Sequence, residues 1–200
     1  YEYWWYYKKD SDYPTYVRRK IGSQEIQIIL DEAKLAADYD YFVIGDWKIS
    51  PDNTLLAYTQ DTSGDERYVL KVFDLDSMQY KEDVLTDVQG DILFGANSDE
   101  IIYSLLEKDR WHAKEVKVHK IGDSQSEDKT IYSEEDDGFF INFYLTSDEE
   151  YLIISSSRSE VTEIYLVPRS NLSSKLLKVV SREQGFDSTI DHSGDRFYIT

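Results

Sequence analysis

The sequence predicts an all-β protein built from repeated antiparallel sheets. Its apolar runs are short and closely spaced, and clusters of Asp, Asn, Ser and Gly separate them, as is typical of strands and hairpins. Aromatic residues make up 14% of the chain, including 17 Tyr, and these large flat side chains pack well on a pleated surface. Only 3 Pro and 9 Gly occur, which argues against a disordered or collagen-like chain.

The predicted strands follow one another along most of the chain. The apolar runs that predict them are Ile26 to Leu30, Leu55 to Tyr58, Tyr68 to Leu75, Ile101 to Leu106, Ile141 to Leu145, Tyr151 to Ile154 and Ile164 to Val167. One brief helix of one or two turns is expected in "DEAKLAADYD", which starts at Asp31 with acidic residues.

The turn clusters between these runs recur at a regular interval. Ser50, Ser98, Ser147 and Ser193 each precede a charged turn and a strand, with spacings of 48, 49 and 46 residues. A period in the forties with about four strands per unit is typical of the blades of a β-propeller. The alternative all-β fold is a β-sandwich, which has no reason to keep this spacing across four units.

We therefore expect a partial β-propeller of about four blades of four-stranded antiparallel sheets. The blade-like units are residues 1–46 (partial), 47–90, 91–139, 140–185 and 186–200 (truncated). Because a ring must close to hide its edge strands, we expect a segment of a longer chain, or one that closes by pairing with another copy. The start, "YEYWWYYKKD", shows no signal peptide, and its lack of an initiator Met also favours an internal segment. The absence of cysteine fits a cytoplasmic protein, with the periplasm as an alternative.

Composition restricts the partners of the chain. The 22 Lys and Arg stand against 40 Asp and Glu, a net charge of −18 that disfavours nucleic acids and anionic membrane surfaces. Such a field attracts cationic ligands, although solubility alone also explains it. Disulfide and thiolate chemistry are excluded because there is no cysteine, and no run approaches the length of an apolar membrane helix.

Several stretches, taken in order, resemble the N-terminal propeller of the prolyl oligopeptidase family of serine peptidases, and within it the oligopeptidase B branch. They are "YEYWWYY", "YPTYVRRK", "IILDEAKLA", "ISPDNTLLAYTQDTSGDERYVLKVFDLD", "IGDSQSEDKTIYSEED" and "IDHSGDRFYIT". The resemblance covers almost the whole chain and is limited to the propeller.

The resemblance implies a seven-bladed propeller that covers an α/β-hydrolase peptidase domain and restricts access to short peptides. Oligopeptidase B prefers cleavage after Lys or Arg. The family's Ser, Asp and His triad lies in the hydrolase domain, and its motifs are not found in these 200 residues. The resemblance therefore implies no catalytic residue here, and we expect no cofactor and no metal.

Four local patterns resemble sites, and each is interpreted as structural. Gly122 to Ser126 lacks the second glycine of a nucleophile elbow. Asp191, His192 and Ser193 are sequence neighbours, whereas triad residues converge from separate elements. His112 and His119 lack a third zinc ligand, and the acidic loop Asp61 to Asp65 lacks the Gly and Glu of a calcium loop.

Two segments of biased composition are interpreted as structural, and the second has a functional alternative. "SEEDDG", from Ser133 to Gly138, is predicted to be a solvated loop between blades. "YEYWWYY" is predicted to pack between blades, with a carbohydrate-stacking platform as the alternative.

The loops after each second strand of a blade are expected to lie together at one end of the sheet. These loops are Asp61 to Arg67, Glu107 to Ala113 and Ser156 to Thr162. Mixed charges of this kind suit a polar interface between domains, and we expect this face to meet the peptidase domain. Ordinary solvent-exposed loops are the alternative. The candidate residues are Asp65, Glu66, Glu107, Asp109, Arg110, Arg158 and Glu160.

Two functions remain open from the sequence. In the first, the chain is the non-catalytic gating segment of an oligopeptidase-B-like serine peptidase, with the peptidase domain of the same chain and short, basic peptides as its partners. In the second, it is a stand-alone propeller that binds a protein or a small ligand. The oligomeric state and the substrate preference stay open.

Overall fold

The computed structural model describes residues 1–182 and 187–200, and in them the protein is nearly all β. One short helix, α1 (Glu32–Ala36), interrupts the strands. The strands are β1 (Glu2–Tyr7), β2 (Pro14–Arg19), β3 (Ile26–Asp31), β4 (Val43–Ile49), β5 (Leu55–Asp61), β6 (Tyr68–Asp74), β7 (Gln79–Phe94), β8 (Glu100–Leu106), β9 (Ala113–Lys120), β10 (Lys129–Ser133), β11 (Phe140–Leu145), β12 (Tyr151–Arg158), β13 (Val161–Pro168), β14 (Leu177–Val180), β15 (Ile190–Ser193) and β16 (Arg196–Ile199).

The strands pair in chain order, as in propeller blades. A three-stranded sheet, β1-β2-β3, comes first, and a four-stranded sheet, β11-β12-β13-β14, comes after the centre of the chain. Between them lies a seven-stranded sheet from β4 to β10. Its 16-residue strand β7 is the last strand of one blade and the first strand of the next, so two blades share one sheet. Strands β15 and β16 form a final pair.

The core lies between neighbouring blades. One buried cluster joins Leu30 of the first sheet to Leu56 and Tyr58 of the second blade. Another joins Ile102 of β8 to Ile154 of β12. Each sheet therefore buries its apolar face against the next sheet, which is how radially arranged blades make one protein. The all-β, partial-propeller prediction is confirmed, and the predicted brief helix is α1.

The predicted limits of the units differ from the strand ends. The limit between residues 46 and 47 falls inside β4, and that between 90 and 91 falls inside β7. The limit between 185 and 186 lies outside the described residues. In the part of the chain that the structure describes, no helix is long and apolar enough to cross a bilayer.

The face of the aromatic strand β1 that carries Tyr3, Trp5 and Tyr7 is packed at its start and exposed at its end. Tyr3 packs against the cluster shared with the second blade, and its hydroxyl donates to Asn53 Oδ1 at 2.6 Å. Trp5 and Tyr7 remain 58% and 56% exposed and meet edge to face at 5.6 Å. Packing between blades therefore accounts for Tyr3 and leaves Trp5 and Tyr7 at the surface.

Candidate interdomain face

Two of the predicted loops lie side by side, and one arginine holds them together. Arg67 closes the β5–β6 loop, and its guanidinium donates to the carbonyl oxygens of Glu107 at 3.2 Å and Arg110 at 3.1 Å in the β8–β9 loop. The same guanidinium pairs with Asp87 Oδ1 at 2.8 Å. Because a guanidinium presents its donors in a rigid fork, Arg67 sets the position of both loops.

The β8–β9 loop is also tied to the next blade. Arg110 pairs with Asp137, in the connection between β10 and β11. Its Nε lies 2.9 Å from Glu107 Oε2, and Lys114 Nζ lies 3.7 Å from Glu107 Oε1. The charges of Glu107 and Arg110 are therefore used within the propeller, in a chain of polar contacts that crosses three blades.

The third predicted loop is shorter than expected. Strand β12 continues to Arg158 and β13 starts at Val161, so only Ser159 and Glu160 form the turn. The Arg158 guanidinium lies 4.9 Å from the centre of the Phe139 ring. The longer predicted range, Ser156 to Thr162, was wrong because strand pairing extends to Arg158 opposite Val161.

Four of the predicted residues have exposed acidic side chains: Asp65, Glu66, Asp109 and Glu160. Glu66 sits at a φ of 60°, a left-handed position that turns the chain into β6. Asp65 also accepts from the Ser63 hydroxyl at 2.7 Å and from the Arg67 N–H at 3.2 Å, within its own loop. Glu107 and Arg110 therefore join the loops, whereas the other candidates are exposed at the surface. The sequence interpretation did not single out Arg67, Asp87 and Asp137, although Arg67 stood in a loop that it named.

The acidic loop after β5 is a self-bonded turn. Both carboxylate oxygens of Asp61 accept backbone N–H bonds, from Ser63 at 2.8 Å, Gly64 at 2.9 Å and Glu66 at 3.0 Å. Burial alone would raise the pKa of Asp61, but these hydrogen bonds outweigh burial and hold the pKa below its usual value. The same bonds give Asp61 a structural role in the turn.

The two histidines of the weak zinc pattern lie apart. His119 is fully buried, with its ring nitrogens 3.0 Å from Asp83 Oδ1 and 2.7 Å from Asp128 Oδ1. His112 lies at the surface loop, with its ring 5.5 Å from that of Phe140. The sequence missed the buried carboxylate–histidine–carboxylate group because its members come from three separate strands or connections.

Of the two serine patterns, Gly122 to Ser126 is a turn, whereas Asp191 to Ser193 lies in strand β15 and not in a turn, because it pairs with β16. Ser124 caps a short 3₁₀ turn, Gln125–Glu127, in a reciprocal arrangement with Glu127. Asp191 accepts from Ser147, and His192 Nδ1 lies 2.6 Å from Asp148 Oδ2, so these two side chains face the preceding blade.

One group of three possible metal ligands occurs among residues 1–182 and 187–200: Asp148, Glu150 and His192. His192 Nδ1 lies at hydrogen-bond distance from Asp148 and 3.8 Å from Glu150 Oε2. A hydrogen bond between two blades accounts for the contact of His192 with Asp148.

Replacing Arg67 with alanine should loosen the β8–β9 loop without unfolding the propeller. The change removes the donors to two loop carbonyls, which then exchange those bonds for water. Hydrogen–deuterium exchange of residues 107–112 should become faster, and Lys108→Ala is a matched control on the same loop. Unchanged exchange in Arg67→Ala would show that the loop holds its shape without the clamp.

The whole chain, residues 1–200, matches the family described as prolyl oligopeptidase, N-terminal beta-propeller domain. The chain belongs to the prolyl oligopeptidase family. A dipeptidyl aminopeptidase BI of Pseudoxanthomonas mexicana is 29% identical over 98% of this chain and 30% of its own length. Protease 2 of Moraxella lacunata is 24% identical over 96% of this chain and 29% of its own.

Solved structures have the same fold. Oligopeptidase B from Leishmania major superposes with a TM-score of 0.91 at 23% identity, over 98% of this chain and 29% of that one. Oligopeptidase B from Trypanosoma brucei, in a closed form with covalently bound antipain, gives 0.77 at 25% identity, over 92% of this chain and 28% of that one. The propeller chain thus spans under a third of these relatives.

Proposed function

We propose that this propeller is the non-catalytic gate of an oligopeptidase-B-like serine peptidase, and that the loops around Arg67 and Arg110 face the peptidase domain of the same chain. The observation that carries the proposal is the family match over residues 1–200. The relatives that it resembles are peptidases more than three times as long. In this arrangement the propeller excludes folded proteins and admits short peptides.

We also propose that the admitted peptides are short and basic. The net charge of −18 supports this preference, because a negative field concentrates cationic ligands near the surface. The exposed carboxylates Asp65, Glu66, Asp109 and Glu160 add negative charge at the proposed domain interface. This attraction should weaken as salt rises, since the Debye length is about 8 Å at physiological ionic strength.

The test is an assay of the parent protein with short and long peptides that contain Arg or Lys. We expect hydrolysis of the short peptides, loss of that activity with a serine-directed inhibitor, and lower kcat/KM as salt rises. A parent reading frame that ended soon after Thr200 would contradict the proposal and favour a stand-alone binding module.

A second specificity is favoured by one comparison. The dipeptidyl aminopeptidase BI shares 29% identity with this chain, against 24% for Protease 2. Removal of dipeptides from a free amino terminus is therefore the alternative activity of the parent. Blocking the amino terminus of a test peptide abolishes that activity and leaves internal cleavage after Lys or Arg intact, so paired free and blocked peptides distinguish the two.

A further inference from the structure

An aromatic patch stands at the end of the propeller where the polar loops meet. Its members are Trp111, which is 86% exposed, His112 and Phe140, which is 59% exposed. The rings of His112 and Phe140 meet edge to face at 5.5 Å. The indole of Trp111 is the most exposed of the large apolar side chains that the structure describes.

The patch is carried by a loop whose backbone is held in place. Arg67 binds the carbonyls of Glu107 and Arg110, just before Trp111, and Arg110 pairs with Asp137. Phe140 lies at the start of β11, within a sheet. A side chain presented from a fixed backbone loses little conformational freedom when it is bound, so the cost of docking is small.

The surroundings of the patch indicate the chemistry of its partner. Asp109 is exposed, and Asp137 retains 60% exposure in its pair with Arg110. Lys108 is exposed beside Asp109, and Arg110 neutralises Asp137, so a partner that fits would offer an apolar pocket for the indole with polar groups of both signs at its rim. Tryptophan is among the residues most enriched at the centres of protein interfaces, where one buried anchor carries much of the binding energy.

We propose that Trp111 anchors this propeller to the peptidase domain of its own chain, by entering an apolar pocket with a polar rim. The inference rests on the proposed function, because the occupant is the rest of the parent protein. Two observations favour that occupant over others. The chain spans about 30% of its relatives, so most of the parent lies outside this domain. The patch also continues the strip of polar loops assigned to the interface.

The test places the photoreactive residue p-benzoylphenylalanine at position 111 of the parent protein. A cross-link within one chain, from position 111 to the peptidase domain, is the expected result. A cross-link between two copies, a cross-link only to added peptide substrate, or none at all would overturn the proposal.

Ile21 provides a matched control for the cross-link, since it is 73% exposed and lies at the other end of the blades. Arg18, three residues before Ile21, donates to the carbonyl of Asn53 in the turn before β5. The Arg67 loop follows β5, so these two loops lie at opposite ends of that strand. The photoreactive residue at position 21 should give no cross-link to the peptidase domain.

Substitution separates anchoring from folding. In the parent, Trp111→Ala should increase the cleavage of long peptides severalfold relative to short ones, because a weakened interface opens more often. Trp111→Phe should retain most of the discrimination, and hydrogen–deuterium exchange in the buried strands of the propeller should be unchanged in both variants. Equal discrimination in all three proteins would overturn the anchor. An inactive parent with an intact cross-link would instead contradict the proposed function alone.

Discussion

Replacing His119 with alanine is expected to lower the free energy of unfolding by about 3–5 kcal/mol. The imidazole is fully buried between Asp83 and Asp128, and each ring nitrogen contacts one carboxylate. Removing the ring leaves two buried carboxylates that face a cavity without their shared partner. Removing one partner of a buried polar contact costs more than the contact contributes, because the groups that remain have neither their partner nor water.

The neighbours of the two carboxylates strengthen this expectation. Asp128 Oδ2 accepts from the hydroxyl of Tyr103 at 2.7 Å, and Asp83 Oδ1 accepts from the backbone N–H of Gly122 at 2.5 Å. Burial is the main reason why the pKa of Tyr103 is raised, and the hydrogen bond to Asp128 raises that pKa further. The group thus joins β7, β8, β9 and the start of β10, across the sheet that two blades share.

Denaturant unfolding of the parent protein, followed by a propeller-specific probe, measures the effect. Ile21→Ala is the control, since Ile21 is 73% exposed in the turn between β2 and β3, away from the proposed interface, and should change the unfolding free energy by no more than about 0.5 kcal/mol. A loss below about 1 kcal/mol for His119→Ala would show that water or a rearranged side chain satisfies both carboxylates.

Replacing Glu134 with alanine should have an effect of similar size. Glu134 is 6% exposed, and its Oε2 accepts from Ser156, Arg182 and the Tyr132 hydroxyl, the last at 2.9 Å. Arg182 belongs to the next blade, and its guanidinium lies 3.9 Å from the centre of the Phe139 ring. Loss of the carboxylate leaves that guanidinium with Glu163 as its ion-pair partner, at 3.0 Å, but it also leaves the hydroxyls of Tyr132 and Ser156 without their acceptor. We expect a total cost of about 3–5 kcal/mol from these lost bonds.

A double-mutant cycle isolates the pair. Glu134→Ala and Arg182→Ala should couple by about 0.5–3 kcal/mol, since contacting residues are not additive. Additive losses in the double variant would show that the two side chains stabilise the propeller independently.

The contribution of Glu134 should also depend on pH. Burial alone would raise its pKa, but hydrogen bonds from Ser156, the backbone of Asp136, Tyr132 and Arg182 hold the pKa below its ordinary value of 4.5. A carboxyl whose folded pKa is lowered stabilises the protein above the ordinary value and loses that effect as pH falls through the folded pKa. The difference in stability between wild type and Glu134→Gln should therefore be constant near neutral pH and shrink below about 4.5.

Much of the architecture could be predicted from the sequence because it depends on local patterns. Short apolar runs between turn residues gave the strands, and the spacing of the turns indicated blades. The serines that revealed the spacing are nevertheless not equivalent residues. Ser50, Gly95 and Thr146 make the same backbone bond across their turns, to the carbonyls of Leu55, Glu100 and Tyr151. The repeat is conserved in backbone geometry, and the serines only lie near it.

The candidate face was predictable as a set of loops but not as a set of contacts. Antiparallel alternation places the loops after second strands at one end, whatever their side chains are. Which charges pair depends on distances across blades, such as that from Arg67 to the Glu107 carbonyl, and no sequence spacing encodes them. The exposure of Trp111 was hidden for another reason: an aromatic residue next to a strand is usually expected to pack.

The uninterrupted strand β7 has a mechanical consequence. In a propeller whose blades are separate sheets, a narrow seam between two blades can widen when the ring is strained. Here the ladder of backbone hydrogen bonds passes from one blade to the next through β7. The two blades also meet where the backbone N–H of Ile92 in β7 donates to Asp46 Oδ2 in β4 at 3.2 Å. Under a stretching force these two blades would respond as a single stiff plate, and strain on the ring would be absorbed at junctions where the sheet is broken.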